Sequence, residues 1–178
     1  MAVRRIDLKG LMVEYLMIER ALEIATLAHT GQKDWFDNDY VLHPIAVSEL
    51  CIGENSKVAA LLHDVVEDTP NTLEDLRRAG INEEILVAVD ILTKRKNIET
   101  LDEYHARIAT NDIAIEVKFA DMRHNSDTTR FPKGNEERAN SNSKKYRERV
   151  TALLEIVGKE KAQRVLSSDM FDFVMSCY

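Results

Sequence analysis

This chain of 178 residues contains few of the residues that mark loops, disulfides or metal-thiolate sites. It has only 6 glycines and 3 prolines, which argues against a loop-rich or all-β protein. Its two cysteines, Cys51 and Cys177, are far apart and form no CxxC motif or ligand-spaced pair, so we expect a reduced, cytoplasmic protein. The length and composition predict a single all-α domain.

Long apolar segments and basic clusters are absent from the sequence as well. No apolar run reaches 18 residues, and residues 1–7 contain no core of signal-peptide length, so we expect neither secretion nor a membrane partner. Acidic residues outnumber basic ones by 31 to 24, which gives a net charge of −7. Since such a chain repels a nucleic-acid backbone, we expect any phosphate it binds to belong to a small ligand.

The spacing of apolar residues predicts helices along most of the chain. We expect them at about 11–29, 44–52, 57–69, 73–79, 82–93, 101–109, 113–125, 144–157 and 160–175. Ser56 is expected to cap the third helix, while Thr72 and Thr100 open capping boxes with an acid three positions later. The polar segment between residues 126 and 143 is expected to be partly loop.

The third predicted helix carries the most informative polar residues. His63-Asp64 and Glu67-Asp68 stand one helical turn apart in an apolar context. Residues four apart on a helix are neighbours, so we expect Glu67 beside His63 and Asp68 beside Asp64. Carboxylates at that distance destabilise one another unless a cation or a hydrogen-bond network compensates them. A divalent metal is the simplest compensation.

Four residues from three predicted helices are candidate metal ligands, namely His43, His63, Asp64 and Asp121. Mixed imidazole and carboxylate donors suit Mn²⁺, Fe²⁺, Co²⁺ or Zn²⁺ better than Ca²⁺. Because no thiolate belongs to the set, Mn²⁺ is our first choice. Such an ion lowers the pKa of a bound water and polarises a phosphoryl oxygen, which predicts hydrolysis of a phosphate ester.

Three polar residues beyond the ligands are candidates for the reaction itself. Glu67 and Asp68 follow the proposed ligands by one turn, and a carboxylate with a tuned pKa can orient the attacking water or carry its proton. Asn125 lies one turn past Asp121, so its amide can meet a sugar hydroxyl or a phosphate oxygen.

Each of these residues, taken alone, has a simpler structural interpretation. His43 before Pro44 is typical of a capping or core histidine, and Asp121 could merely pair with Lys118 or Arg123. The Glu67-Asp68 pair could be a solvated helix end. It is the combination that favours a site, because an uncompensated carboxylate in an apolar helix is costly.

The three remaining histidines carry less information. His29 and His124 could orient ligands from behind, although a purely structural role is more common for such residues. His105 is expected on the surface of its helix.

Four motifs in order resemble the HD-domain phosphohydrolase superfamily. They are Ala28-His29-Thr30-Gly31-Gln32, Tyr40-Val41-Leu42-His43-Pro44, Leu61 to Thr69, and Lys118 to Asn125. Over residues 15–130 their order and spacing look like the hydrolase domain of RelA/SpoT-type proteins and the small alarmone hydrolases.

That resemblance implies an all-helical HD-type domain, completed by C-terminal helices at about 144–175. It implies one Mn²⁺ held by two histidines and two aspartates, matching His43, His63, Asp64 and Asp121. The pair matching Glu67 and Asp68 would support release of the 3′-pyrophosphate from (p)ppGpp, and the residue matching Asn125 would lie against the nucleoside.

The loop before Tyr40 departs from the pattern of that family. Alarmone hydrolases carry an Arg-Lys-Ser-Gly-like loop there, whereas residues 33–39 of this chain hold three aspartates and a single cation, Lys33. Lys33 and Arg130 are candidates for binding phosphate, and Trp35 or Phe36 could stack on a base. The base and the number of phosphates stay open.

The sequence therefore predicts a cytoplasmic, metal-dependent phosphohydrolase with a small-molecule nucleotide substrate and (p)ppGpp hydrolysis as its leading activity. A chain ending at Tyr178 leaves no room for a synthetase domain, so hydrolysis is the only activity expected. Two alternatives are an HD-type nucleotidase or phosphomonoesterase and a nucleotide-sensing module without turnover. The oligomeric state stays open.

Overall fold

The computed structural model describes residues 8–178, together with the side chains of residue 12 and of residues 15–178. Residues 1–7, to which the signal-peptide argument applied, lie outside the described residues. The described chain forms helices and connecting turns: α1 (Leu8–Ala28), α2 (Leu42–Leu50), α3 (Glu54–Leu62), α4 (Val65–Asp68), α5 (Leu73–Arg78), α6 (Glu83–Leu92), α7 (Leu101–Ile108), α8 (Asp112–Ser126), α9 (Glu136–Val157), α10 (Lys159–Val165) and α11 (Ser168–Cys177). The all-α prediction is confirmed.

Helix α8 lies at the centre of the fold. It packs against α2, α3, α6, α7, α9, α10 and α11, and Ile115, Val117 and Phe119 on it are fully buried. A helix that neighbours cover on all sides needs apolar residues on all sides. This burial explains why the β-branched run at residues 113–117 is helical, beginning after Asn111, whose side chain accepts the Ala114 amide at 2.9 Å.

Local sequence signals set several helix ends as expected. Thr72 and Thr100 each form a complete capping box, with Asp75 and Glu103 respectively. Gly80 adopts φ +88 just after α5, a left-handed conformation that glycine reaches without a steric penalty. Among the described helices, none combines the length and the apolar character that crossing a bilayer requires.

The predicted cap of α3 is wrong. Helix α3 begins at Glu54, and Gly53 occupies the capping position without a side-chain hydrogen bond. Ser56 instead donates its hydroxyl to Glu116 Oε2 on α8 at 2.6 Å. The Ser56 hydroxyl therefore binds a distant acceptor, Glu116, instead of capping the start of α3.

The C-terminal helices also differ from the prediction. Helix α9 begins at Glu136 rather than at residue 144, because Glu136 and Glu137 favour a helix start. The helix expected at 160–175 is two helices, since Leu166 is extended and Ser167 caps α11 by accepting the Met170 amide.

Contacts along α9 join the end of the chain to the middle. Arg147 donates to the Ser176 carbonyl at 2.5 Å, and Thr151 donates to the Cys177 carbonyl at 3.0 Å. On the same helix, the Asn142 amide donates to the Asn125 carbonyl of α8 at 2.7 Å.

Candidate active site

Two histidines and an aspartate meet where α2 faces the junction of α3 and α4. Ligand atoms of His43, His63 and Asp64 all lie within 4.8 Å of one another. Both histidines are buried, and Asp64 is nearly so. The structure thus brings together three of the four residues selected from the sequence.

His63 and Asp64 do not lie within one continuous helix, so the predicted helix at 57–69 is wrong at this point. Helix α3 ends at Leu62 and α4 begins at Val65. Consecutive side chains on a regular helix diverge by about 100°, which would direct these two apart. Through the two-residue junction, His63 Nε2 lies 3.1 Å from Asp64 Oδ2, and that oxygen lies 3.6 Å from His43 Nε2.

Asp121 on α8 approaches the same cluster but also has a partner of its own. Its Oδ1 lies 3.3 Å from His43 Nε2, while its Oδ2 accepts from Lys118 Nζ at 2.8 Å. It does not belong to the group whose ligand atoms lie within 4.8 Å of one another. Asp121 therefore forms the pair with Lys118 that the sequence analysis considered, and it also approaches His43.

The charges in this cluster shift one another's pKa values. Burial lowers the pKa of His63, but the charge and hydrogen bond of Asp64 and the charge of Asp121 raise it to about 9. Burial alone would raise the pKa of Asp64, yet the neighbouring histidines hold it below its usual range. The pKa of Asp121 is likewise lowered, against the effect of burial, by Lys118 and then by His43. Two ionised carboxylates beside two imidazoles fit a divalent first-row ion.

Neighbouring groups orient the two imidazoles. His63 Nδ1 lies 2.6 Å from the Ala60 carbonyl, which directs Nε2 toward Asp64. His43 Nδ1 lies 2.8 Å from His124 Nδ1, so His124 occupies the supporting position considered for it. Hydrogen bonds of this kind fix the tautomer and the ring orientation of histidine ligands.

Tyr40 is a supporting residue whose individual role the sequence analysis missed. It donates its hydroxyl to Asp64 Oδ2 at 2.7 Å. The ring of His29 lies 4.9 Å from that of Tyr40, while His29 Nδ1 lies 2.8 Å from Gln32 Oε1. His29 therefore supports the tyrosine and does not touch a candidate ligand directly. The sequence did contain a signal for Tyr40, because this residue begins the Tyr-x-x-His-Pro motif.

The two predicted catalytic acids have different surroundings. Glu67 lines a cavity and accepts the Lys94 backbone amide at 2.8 Å. Asp68 is more exposed and pairs with Lys96 at 3.2 Å, and it is not among the residues that line the cavity. Lys96 also lies 3.3 Å from Glu67, so it joins the two carboxylates.

The cavity beside the cluster has a volume of about 380 Å³. His43, Asp64, Glu67 and Asp121 contribute to its wall. So do all the residues predicted to bind substrate, which are Asn125, Lys33, Trp35 and Arg130. Asn125 also donates to Asp121 Oδ1 at 2.5 Å, so it links the candidate ligand Asp121 to the rest of the cavity wall.

Residues of the loop before Tyr40, and the neighbouring Arg130, have partners of their own. Lys33 pairs with Asp39 at 2.8 Å, which offsets its charge. Trp35 is 66% exposed, and the Arg138 guanidinium lies 4.5 Å from its ring centroid. Arg130 donates to the His124 carbonyl at 3.1 Å.

Several cavity residues come from segments that the sequence analysis did not connect with the site. They are Lys94, which follows α6, Tyr104 and His105 on α7, and Tyr146 and Arg149 on α9. The expectation of an exposed His105 is wrong, because its ring is fully buried. The sequence contained a signal for this burial. The i, i+3, i+4, i+7 spacing that is typical of a buried helix face is present at Leu101, Tyr104, His105 and Ile108.

Comparison with models of protein families finds no match. Individual curated proteins do match. The GTP pyrophosphokinase of Streptomyces coelicolor is 36% identical over 128 residues, which is 65% of this chain and 15% of that protein. The guanosine-3′,5′-bis(diphosphate) 3′-pyrophosphohydrolase of Borreliella burgdorferi is 32% identical over 136 residues, or 68% of this chain and 20% of that protein.

A third relative is the bifunctional (p)ppGpp synthase/hydrolase SpoT of Escherichia coli, which is 30% identical over 125 residues, or 62% of this chain and 18% of that protein. The chain thus spans a fifth or less of the length of these three relatives. Over about two thirds of its own length, it is similar to proteins named for the synthesis or hydrolysis of (p)ppGpp.

A solved structure has the same fold. It is a metazoan ortholog of SpoT, described as hydrolysing ppGpp, and it aligns with a TM-score of 0.64 over 90% of this chain and 94% of that one. The two sequences are 24% identical. This likeness confirms the architecture over nearly the whole chain.

Proposed function

We propose that this protein is a metal-dependent nucleotide phosphohydrolase whose leading activity is removal of the 3′-pyrophosphate from (p)ppGpp. The observation that carries the proposal is the convergence of His43, His63 and Asp64 within 4.8 Å of one another, with His43 and Asp64 at the wall of a cavity. Relatives named for (p)ppGpp hydrolysis support this substrate class. We further propose that the chain forms one HD-type domain and acts in the cytoplasm on small nucleotides, without a nucleic-acid or membrane partner.

His43, His63, Asp64 and Asp121 would hold one divalent ion in this proposal. Their imidazole and carboxylate donors fit Mn²⁺, with Fe²⁺, Co²⁺ or Zn²⁺ as alternatives. When bound, such an ion supplies a more acidic water and offsets negative charge on the phosphoryl group. Tyr40 and His124 keep the ligand side chains in position through their hydrogen bonds to Asp64 and His43.

Glu67 would handle the proton of the attacking water. Its carboxylate lines the cavity, where Oε2 accepts the Lys94 amide at 2.8 Å and Oε1 lies 3.3 Å from Lys96 Nζ. These contacts orient a carboxylate that can accept a proton. We assign Asp68 to positioning, because it reaches Glu67 through their shared partner Lys96.

The nucleoside would lie between α8 and the loop that precedes α2. Asn125 can offer its amide to a sugar hydroxyl or a phosphate oxygen, and Trp35 offers an exposed aromatic surface to the base. Lys33 and Arg130 line the same part of the cavity and suit phosphate oxygens.

Metal analysis combined with chromatography of reaction products tests the proposal. The panel contains ppGpp, ppApp and simple nucleotides, and we expect pyrophosphate from ppGpp. Asp64→Ala should lose both bound metal and turnover, whereas Glu155→Ala, an exposed acid on α9, should keep both.

Other outcomes of this experiment would contradict the proposal. Release of orthophosphate would favour a nucleotidase, and ligand-induced thermal shifts without product would favour a sensing module. Turnover that survives chelation or the Asp64→Ala substitution would exclude the assigned ligands.

A further inference from the structure

The loop between α6 and α7, residues 93–100, contacts the carboxylate of Glu67 at both oxygens. The Lys94 amide donates to Glu67 Oε2 at 2.8 Å, and Lys96 Nζ lies 3.3 Å from Glu67 Oε1. The same ammonium group lies 3.2 Å from Asp68 Oδ1. The position of the Glu67 carboxylate therefore depends on the conformation of this loop.

Burial in the core does not fix the middle of this loop. Residues 95–98 are all exposed, and the side chain of Ile98 is 82% exposed. Asn97 has φ +66, a left-handed conformation that costs free energy in residues other than glycine. Segments with few buried contacts open easily, so the conformation of this loop needs other contacts.

Arg107 on α7 holds the start of the loop. Its Nη1 donates to the carbonyls of Asp90 and Ile91 at 2.8 and 2.7 Å, and its Nη2 donates to the Thr93 carbonyl at 3.0 Å. The last carbonyls of a helix have no partner within that helix. One guanidinium therefore satisfies the end of α6 and fixes the point at which the chain leaves it.

The same guanidinium holds the far end of the loop through Glu99. Arg107 Nη2 lies 2.6 Å from Glu99 Oε1, and Arg107 Nε lies 3.2 Å from Glu99 Oε2, a two-point geometry that suits arginine and a carboxylate. Glu99 Oε1 also accepts the Arg95 amide at 2.6 Å. Because the two side chains are 17% and 9% exposed, solvent screens this pair less than an ion pair on the surface.

We propose that the Arg107–Glu99 pair positions Glu67 for the reaction by holding the loop that contacts it. Neither residue of the pair is among the described residues that line the cavity. Arg107 and Glu99 are therefore positioning residues, which act through Lys94 and Lys96 and not on the nucleotide. The inference rests on the proposed function, in which Glu67 handles the proton of the attacking water.

The candidate metal ligands are held by other contacts. The hydrogen bonds that orient His43, His63 and Asp64 come from α8, from α3 and from the loop before α2. A change in the Arg107–Glu99 pair should therefore lower turnover and leave metal binding unaltered. A pair that merely stabilised the fold would have no reason to separate these two properties.

Steady-state kinetics and metal analysis test this separation. Arg107→Lys and Glu99→Gln remove the two-point pair, and we expect kcat to fall about tenfold or more, with KM changed less than about twofold. Metal occupancy should stay at the wild-type level. Glu83→Gln is the matched control, because Glu83 pairs with Arg77 in the same way but joins α5 to α6. Glu99→Gln keeps the side-chain shape and serves if Arg107→Lys does not fold.

A double-mutant cycle tests whether the effect passes through Glu67. In a Glu67→Gln background, measured in single turnovers with enzyme in excess, Glu99→Gln should cost less than about twofold, because the carboxylate that the pair positions has been removed. The same loss in both backgrounds would overturn the proposal. So would a loss of metal in step with kcat.

Amide hydrogen exchange of the metal-loaded protein tests the pair without requiring turnover. Glu99→Gln should speed exchange of the Lys94 amide at least about tenfold, while Glu83→Gln leaves it unchanged. If this result is obtained and the wild type hydrolyses no nucleotide, the pair holds the loop against Glu67 and it is the proposed function that fails. Unchanged exchange at Lys94 would overturn the proposal whatever the activity.

Discussion

Helix α8 carries two buried carboxylates that differ in the groups around them. Glu116 is 6% exposed and Asp121 is 5% exposed. Within residues 8–178, the donors to Glu116 are neutral, namely the backbone amides of Ile52 and Gly53 and the hydroxyl of Ser56. Asp121 meets a lysine, a histidine and an amide side chain, which are Lys118, His43 and Asn125.

The difference separates a carboxylate that holds the fold from one that is available to a ligand. Backbone amides have fixed positions, so Glu116 ties α8 to the turn between α2 and α3. A Cβ at Gly53 would lie 3.0 Å from Ser56 Oγ and 3.2 Å from Glu116 Oε2, which explains the glycine in this turn. Side-chain donors can rearrange around a cation, and the donors to Asp121 in the described part of the chain are all side chains.

Replacing the carboxylate on the ligand side should have the largest effect on activity. Asp121→Asn keeps the shape of the side chain but removes its charge, so we expect metal occupancy to fall at least about tenfold and turnover to reach background. Metal analysis and product chromatography measure both. Glu116→Gln is the matched change on the same helix, and the distinction drawn between the two carboxylates fails if it loses metal equally.

Replacing the structural carboxylate should act on stability instead. Glu116→Ala leaves two backbone amides and one hydroxyl without their acceptor, and we expect the free energy of unfolding to fall by about 3 kcal/mol. Denaturant titration gives this value. Turnover per folded molecule should stay near that of the wild type, and the milder Glu116→Gln serves if the alanine variant does not fold. Unchanged stability in both variants would show that Glu116 does not anchor α8.

His105 on α7 is a third buried polar residue, and its ring nitrogens have no hydrogen-bond partner among the described residues. Its titration should give the smallest effect on stability. The pKa of His105 is about 4 in the folded chain against an ordinary 6.5, so between these values the unfolded chain binds more protons. Stability should therefore decrease as the pH falls. Relative to His105→Phe, the wild type should lose about 2 kcal/mol from about pH 7.5 to about pH 5.

Denaturant titration of both proteins across that pH range checks the expectation. The difference between them isolates His105 from His63 and His124, which titrate in both proteins. A difference that does not change with pH would mean that the pKa of His105 is the same in the folded and unfolded chains, contrary to the effect of its burial and cationic surroundings.

The sequence predicted the features that depend on neighbouring residues. The two threonine capping boxes follow local rules, and helix periods are visible over four or more residues. His43, His63 and Asp64 were selected from the sequence because imidazoles and carboxylates in apolar helices need compensation. In the structure these three residues lie close together. Their role as metal ligands remains a prediction.

Features that depend on distant contacts could not be predicted in this way. Ser56 fits the rule for a helix cap, but its acceptor is 60 residues away on α8. The helix break at His63 and Asp64 could not be predicted, because no glycine or proline lies at this position of the sequence. His105 resembles a surface residue by type, and its burial depends on the packing of α7 against α8 and α9.

The length of α9 has a practical consequence. It extends over 22 residues, about 33 Å. A continuous helix of that length connects the elements that pack against it, among them α8 and α11. Arg147 and Thr151 hold the last turn of the chain, while Asn142 donates to the carbonyl of Asn125, an α8 residue that lines the cavity. A purification tag fused after Tyr178 would therefore adjoin a turn that is hydrogen-bonded to the helix lining the cavity, and kinetics are best measured on protein from which the tag has been removed.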